Sequence, residues 1–392
     1  MKEVYMDNGA TTKVDPKVIE KMMPFLEEKY GNASSTHSRG LNSKHAIGDA
    51  RKTIAKLIGA KSEEIIFTSG GTESNNFTIK GIAFANKDRG NHIIISKVEH
   101  KCVLKSCKWL ETQGFKITYL DVDKDGFVSP NDLDDAITDK TILVSIIHGN
   151  NEIGTINDME ALGKVCKKHG ICFHTDACQS FTKTEIDVKK QNLDLVTLNA
   201  HKIHGPQGVG TLYVKTGTKI TPWQHGGGQE NDMRGGTHNT PGIVGFAEAA
   251  KIGSDKKHVK HMTALRDKLM KGISKFQGIK LNGPEGNKRL CNNLNFSFKG
   301  IEGEALGGYL DQKGIRSSTG SACSARSLEP SYVLTSIGLT HEEANGSLRL
   351  GISRFTTEEE IDYVLQSLEK IVKKLRWISP FGKIVDKMVG KK

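Results

Sequence analysis

The chain has 392 residues, 36% of them hydrophobic and 26% charged, which describes a globular protein with a sizeable core and excludes a disordered or fibrous one. Its formal charge of +11 comes from lysines dispersed along helix-like segments rather than gathered in one block, so direct nucleic-acid binding is not expected; the basic stretch 383–392 reads as a docking element for an acidic partner. No apolar run approaches the ~20 residues of a membrane span, and acids interrupt the N-terminus where a secretory signal would be apolar, so a cytoplasmic location is expected.

In chain order, Asp15 followed by Pro16 is a cap and a first-turn proline that open a helix toward Phe25. Glu64 to Thr68 reads as a buried strand and Thr72 to Asn86 as the helix after it. Further short apolar strands are expected over His92–Ser96, Lys116–Leu120, Thr141–Ile147, Ile171–Thr175 and Leu193–Asn199. Helical stretches ending in Gly114 and Gly170 fall between them. This alternation predicts an α/β fold with a mostly parallel central sheet covered on both faces, and ligands beyond the carboxyl ends of its strands. A long helical segment from Pro241 to about Phe276 breaks the rhythm. A strand (Asn293–Phe298), a helix (Glu302–Gln312), a Ser/Gly-rich loop (317–327), a strand (Ser347–Ile352) and a helix (Thr357–Leu375) follow. They suggest a smaller α+β domain, formed by 1–14 with 256–392 and set beside a large domain over 15–255.

Three strand ends carry polar residues suited to one phosphorylated aldehyde cofactor. In Thr68-Ser69-Gly70-Gly71-Thr72-Glu73-Ser74-Asn75 the glycines expose backbone amides at a helix start, a phosphate cup or simply a turn. Asp176 closes an apolar strand, where a carboxylate needs a cation or donors; a protonated ring nitrogen and a helix cap both meet that need. Lys202, in Asn199-Ala200-His201-Lys202-Ile203-His204-Gly205-Pro206-Gln207-Gly208, sits where an amine is buried, and a desolvated lysine can form an imine with an aldehyde. Seven cysteines without a C-x-x-C pair, in an odd number, read as thiols. Cys323 lies in a Ser/Gly/Ala-rich loop suited to a travelling thiol, although a free thiol (pKa about 8.5) needs help to become a thiolate. Cys102, Cys107, Cys166, Cys172, Cys178 and Cys291 read as packing residues. Asp121 to Asp132 imitates a calcium loop but follows a strand and contains Pro130.

Together, the segments 7–12, 68–75, 98–100, 150–154, 174–180, 201–208, 225–228, 233–237, 317–334 and 349–362 resemble the NifS/IscS cysteine desulfurases, and the loop around Cys323 resembles their long-loop group. The likeness runs over essentially the whole chain. It implies a class-V aminotransferase-like enzyme of fold type I with pyridoxal 5'-phosphate as cofactor. On that likeness Lys202 would bind the cofactor and move the substrate proton, Asp176 would pair with the ring nitrogen, and Gln179 and Asn151 would touch the ring-oxygen side. His100 would stack on the ring as acid/base. Gly71, Thr72, Asn199 and His201 would hold the phosphate, with Thr237 entering from a second subunit of a homodimer. Arg349 would grip the carboxylate of L-cysteine beside Asn151, with Arg354 as its competitor. Gly71 departs from a frequent alanine and Asn199 from a frequent serine.

The implied reaction takes sulfur from L-cysteine, leaves L-alanine, and puts a persulfide on Cys323. The sulfur then passes to an iron–sulfur scaffold or a tRNA-thiolation protein. No metal is expected in the resting enzyme, with Cys323 a candidate transient iron–sulfur ligand. A selenocysteine lyase or another class-V transaminase or lyase is the enzymatic rival, and a catalytically silent sulfur-delivery scaffold is the non-enzymatic one.

Overall fold

A computed structural model describes residues 3–319 and 329–378. Strand β1 (Val4–Tyr5) leads to helix α1 (Pro16–Leu26), capped by Asp15 Oδ1 on the Lys17 amide, and then to α2 (Ser38–Leu57). There follow β2 (Ile65–Thr68), α3 (Gly71–Ala85), β3 (His92–Ser96), α4 (Lys101–Glu111), β4 (Lys116–Leu120), α5 (Pro130–Ala136), β5 (Thr141–Ser145), α6 (Met159–His169), β6 (Cys172–Asp176), β7 (Leu195–Asn199) and β8 (Gly210–Val214). Strands β2 to β8 form one sheet in the order β2-β8-β7-β6-β5-β3-β4, in which only β8 opposes the others. The mostly parallel α/β fold is as expected.

The strands read as continuous apolar runs because both faces are covered, and alternate residues serve different cores. Ile94 and Val144 join the core under α2 and α6, while Ile93, Ile95 and Leu143 join the one under α3 and α4. Phe77, Phe173 and Phe246 are fully buried, and burial stabilises each by about 2 kcal/mol.

After β8 the expected single long helix is two: α7 (Thr240–Gly253) and α8 (Lys256–Ile273). Asp255 has extended backbone and its carboxylate caps the Lys257 amide, so it stops one helix and starts the next. The sequence reading also lacked α2, whose buried face is Gly40, Ser43, Ile47, Ala50 and Ile54. Small residues on that stripe let it lie close to α7 but give a weak apolar signal.

A separate antiparallel sheet of β9 (Ile279–Leu281), β10 (Asn293–Phe298) and, beyond helix α9 (Gly303–Gln312), strand β11 (Ile315–Arg316) and helices α10 (Tyr332–Ser336) and α11 (His341–Asn345), β12 (Ser347–Gly351) has its own core with α8, α9 and α12 (Glu358–Ile378). Here β11 pairs with β1, not with that sheet, so Val4 and Met6 from the chain start belong to this second core. Among the described residues no helix is long and apolar enough to cross a membrane.

Candidate active site

The loops after β2, β3, β5, β6 and β7 enclose a cavity of about 340 Å³, closed on one side by β12. Ten of the expected residues line it: Gly71, Thr72, His100, Asn151, Asp176, Gln179, Asn199, His201, Lys202 and Arg349. Thr237 does not; it is exposed on the loop before α7. Cys323 lies outside the described residues, as does the basic stretch 383–392. A larger basin of about 680 Å³ near Lys167, Lys189, Lys215 and Asp194 opens at the amino ends of the strands and contains none of these groups. Volume therefore does not mark the site; convergent chemistry does.

Lys202 follows β7, and its Nζ donates to the carbonyls of Gly9 (2.7 Å) and Ala10 (2.6 Å). Burial, helped by the nearby Arg349 charge, lowers its pKa to about 8, and among the described residues no carboxylate pairs with it. At physiological pH a minor but far larger than usual fraction of the amine is thus neutral, the form that attacks an aldehyde.

Asp176 ends β6 with only 5% of its surface exposed. Its carboxylate accepts from Asn75 Nδ2 (2.6 Å) and the Cys178 amide (2.9 Å), but no cation among the described residues pairs with it. A buried carboxylate on a cavity wall is costly until a cation arrives.

Helix α3 starts at Gly71 with no side-chain cap, after Gly70 at φ 152° and ψ −179°, a conformation reserved for glycine. Its first-turn amides are left for an anion. The glycine at 71 has a local cause, since a Cβ there would lie 2.6 Å from Cys178 Sγ. Asn199 Oδ1 is buried without a partner among the described residues, and His201 Nδ1 lies 3.1 Å from Thr11 Oγ1. Gln179 donates to the Gly9 carbonyl at 2.8 Å. An anion cradle, an unpaired carboxylate and an amine that loses its proton more easily than usual, all in one cavity, fit pyridoxal 5'-phosphate.

Arg349, on β12, donates through Nη2 to Asp7 Oδ1 (2.9 Å) and through Nη1 to the Asn151 carbonyl (3.1 Å). Arg354 lies outside the cavity lining and pairs with Asp15 at 2.6 Å. Both described flanks of the Cys323 segment meet cavity residues. Ser318 exchanges backbone hydrogen bonds with Arg349 (2.7 and 3.3 Å), and Ser331 Oγ donates to Glu152 Oε2 at 2.5 Å. Burial raises the Glu152 pKa to about 7.

Sequence reasoning missed four contributors. Asn75, Glu152 and Cys102 line the cavity, the last despite its expected packing role, because it is the second residue of α4, whose start faces the cavity. Lys183 is buried and donates to the carbonyls of Gln179 (2.8 Å) and Lys202 (3.1 Å), fixing the backbone that carries the amine. Asn75 and Glu152 each end a quoted segment or lie within one, but nothing in their spacing marks them. Of the other expected packing cysteines, Cys107, Cys166, Cys178 and Cys291 are buried and Cys172 is half-buried; Cys178 also lines the cavity, and burial raises each thiol.

Residues 4–364 match the model of the aminotransferase class-V family. The chain is 52% identical over 381 residues to cysteine desulfurase IscS of Methanosarcina thermophila, covering 97% of this chain and 94% of that one. It is 51% identical over 383 residues to cysteine desulfurase IscS of Clostridium botulinum, covering 97% and 96%. Among solved structures it resembles a NifS-like protein with TM-score 0.89 at 38% identity, covering 96% of this chain and 100% of that one. It also resembles SspA in complex with cysteine, with TM-score 0.80 at 38% identity over 90% and 100% of the two chains. The chain belongs to the class-V aminotransferase family of pyridoxal-phosphate enzymes and, within it, to the NifS/IscS cysteine desulfurases.

Proposed function

We propose that this chain is a cysteine desulfurase, which takes sulfur from L-cysteine, releases L-alanine and carries the sulfur as a persulfide on Cys323. The observation that carries the reading is the convergence of the Lys202 amine, the cation-free Asp176 carboxylate and the Arg349 guanidinium on one cavity. Bound pyridoxal phosphate supplies an electron sink for the bond changes at the substrate. Lys202 would hold the cofactor and then move the substrate Cα proton. Asp176 would pair with the ring nitrogen and favour its protonated form, while Gln179 and Asn151 would serve the ring-oxygen side. Gly71, Thr72, Asn199 and His201 would hold the phosphate. Arg349 orients the substrate carboxylate, for which its planar fork is suited; its place in the cavity lining, where Arg354 is absent, supports this choice. His100 supplies a proton.

The sulfur step balances without an external oxidant. The Cys323 thiolate attacks the substrate sulfur, an S–S bond forms, the Cβ–S bond breaks, and the released electron pair at Cβ takes a proton. A homodimer in which Thr237 completes the neighbouring site, an iron–sulfur scaffold or tRNA-thiolation acceptor, and a cytoplasmic location complete the proposal. The two separate cores support a large domain over 15–255 and a small one made of 1–14 with 256–392.

The test is alanine and sulfide output from L-cysteine. Wild type should release both, Lys202→Ala should lose the visible absorbance of the lysine-bound cofactor and all activity, and Cys323→Ser should keep the absorbance and lose sulfide. Full sulfide output from Cys323→Ser would remove that residue from the reading.

A further inference from the structure

A chain of hydrogen bonds runs along the cavity wall from β6 to the start of α4. Asn75 Nδ2 lies 2.6 Å from Asp176 Oδ2 and 3.1 Å from Cys102 Sγ, and Cys102 Sγ lies 2.9 Å from His100 Nδ1. The order of donors and acceptors is determined. Turning the Asn75 amide over would set its oxygen against a carboxylate oxygen at 2.6 Å, so the nitrogen faces Asp176, and its two hydrogens serve Asp176 and Cys102. Cys102 sulfur therefore accepts from Asn75 and, beside it, from the Thr72 hydroxyl, and its own hydrogen is left for His100 Nδ1.

Two further observations agree. The Cys102 backbone amide, which can only donate, also reaches His100 Nδ1 at 3.3 Å, as the helix cap of α4. Burial, reinforced by the Asp176 charge, raises the Cys102 thiol to about 12, so it keeps the proton that it donates. His100 Nδ1 thus receives two donors and carries no proton of its own. Burial also lowers the His100 pKa; Asp176 opposes that shift, while Lys202 and Lys101 add to it. The neutral ring carries its single proton on Nε2, which makes no hydrogen bond among the described residues.

We propose that Cys102 is a positioning residue which, with Asn75, fixes His100 in its Nε2–H tautomer, so that His100 enters the reaction as a proton donor. This inference rests on the desulfurase reading only in giving His100 a part in the reaction; the tautomer itself does not depend on it. It also excludes Cys102 as a second sulfur acceptor, because a thiol that holds its proton is a poor nucleophile.

Nitrogen-15 NMR of histidine-labelled holoenzyme, with His100 assigned from the His100→Gln difference, reads the tautomer. Wild type should show a bare Nδ1 and a protonated Nε2. Cys102→Ala should give a mixture of tautomers, with kcat lowered about fivefold, the KM for cysteine within about twofold, and cofactor absorbance kept. Cys102→Ser, which keeps a small donor, should restore both the tautomer and kcat. A protonated Nδ1 in wild type overturns the proposal. So does a fall in kcat for Cys102→Ala with the wild-type tautomer intact, which marks a packing role. A changed tautomer with unchanged kcat also overturns it, as does Cys102→Ser behaving like Cys102→Ala. If no variant and no wild type releases alanine from cysteine, the desulfurase reading fails while the NMR result still decides the contact.

Discussion

Arg349 Nη2 lies 2.9 Å from Asp7 Oδ1, an ion pair that joins β12 to the segment after β1 inside the cavity wall. The same segment presents the Gly9 and Ala10 carbonyls to Lys202. The proposed substrate grip and cofactor lysine are therefore both held by one stretch of chain. Replacing Arg349 with Gln should raise the KM for cysteine by about 10- to 100-fold, the loss of a charge-assisted bidentate contact. Arg354→Gln removes the partner of buried Asp15 and should lower thermal stability while leaving KM near wild type. Steady-state kinetics beside thermal melts separates the two arginines; equal KM effects would contradict the assignment.

How much of this was legible in the sequence differs by element. Lys202, Asp176 and the Gly70-Gly71 turn were readable because strand ends in an α/β sheet converge, and each residue type is costly there without a ligand. Asn75 and Cys102 were not, since their importance comes from a hydrogen-bonded path between α3, β6 and α4 that no single segment encodes. Helix α2 was missed because its buried stripe is made of small residues, and the split of α7 from α8 because Asp255 acts as a cap inside a helical pattern. The preference for Arg349 over Arg354 needed the cavity lining, which takes in Arg349 alone of the two, and five residues of spacing do not encode that.

The departure at Gly71 is compensated by Cys178. A Cβ at 71 would meet its sulfur at 2.6 Å, so Gly71→Ala should cost about 1–3 kcal/mol and weaken cofactor binding. Adding Cys178→Ala should recover at least about 1 kcal/mol of that loss. Denaturant melts and cofactor titration of the two single variants and the double variant check it; additive losses would show that the two sites do not touch.

The free amine of Lys202 has its pKa lowered to about 8 by burial and by Arg349. Only the neutral amine attacks an aldehyde, so capture of pyridoxal phosphate by the apoenzyme should speed up about tenfold per pH unit below that value and level off above it. Stopped-flow absorbance follows the rate. A flat profile from about pH 6 to 9 would mean that the amine is not the titrating group.

Glu230 accepts from Arg51 (2.7 and 2.8 Å), His238 (2.8 Å) and the Phe67 amide (2.7 Å). Burial alone would raise its pKa, but these donors outweigh burial and hold it at about 2. An unfolded glutamate titrates near 4.3, so the folded pKa is depressed. The cluster's stabilisation, about 3 kcal/mol, is present above the unfolded pKa and is lost as pH falls through about 4 toward 2. Glu230→Gln should lower stability at neutral pH and flatten its acid dependence across that window, measured by urea melts.

The central claim is that sulfur passes from cysteine to Cys323. A single anaerobic turnover of the holoenzyme with one equivalent of L-cysteine, followed by mass spectrometry of the digested protein, measures this directly. The account predicts alanine in solution and one added sulfur on the peptide that contains Cys323, with neither formed by Cys323→Ser although its cofactor absorbance is unchanged. Alanine formed in full with no sulfur on that peptide would contradict it.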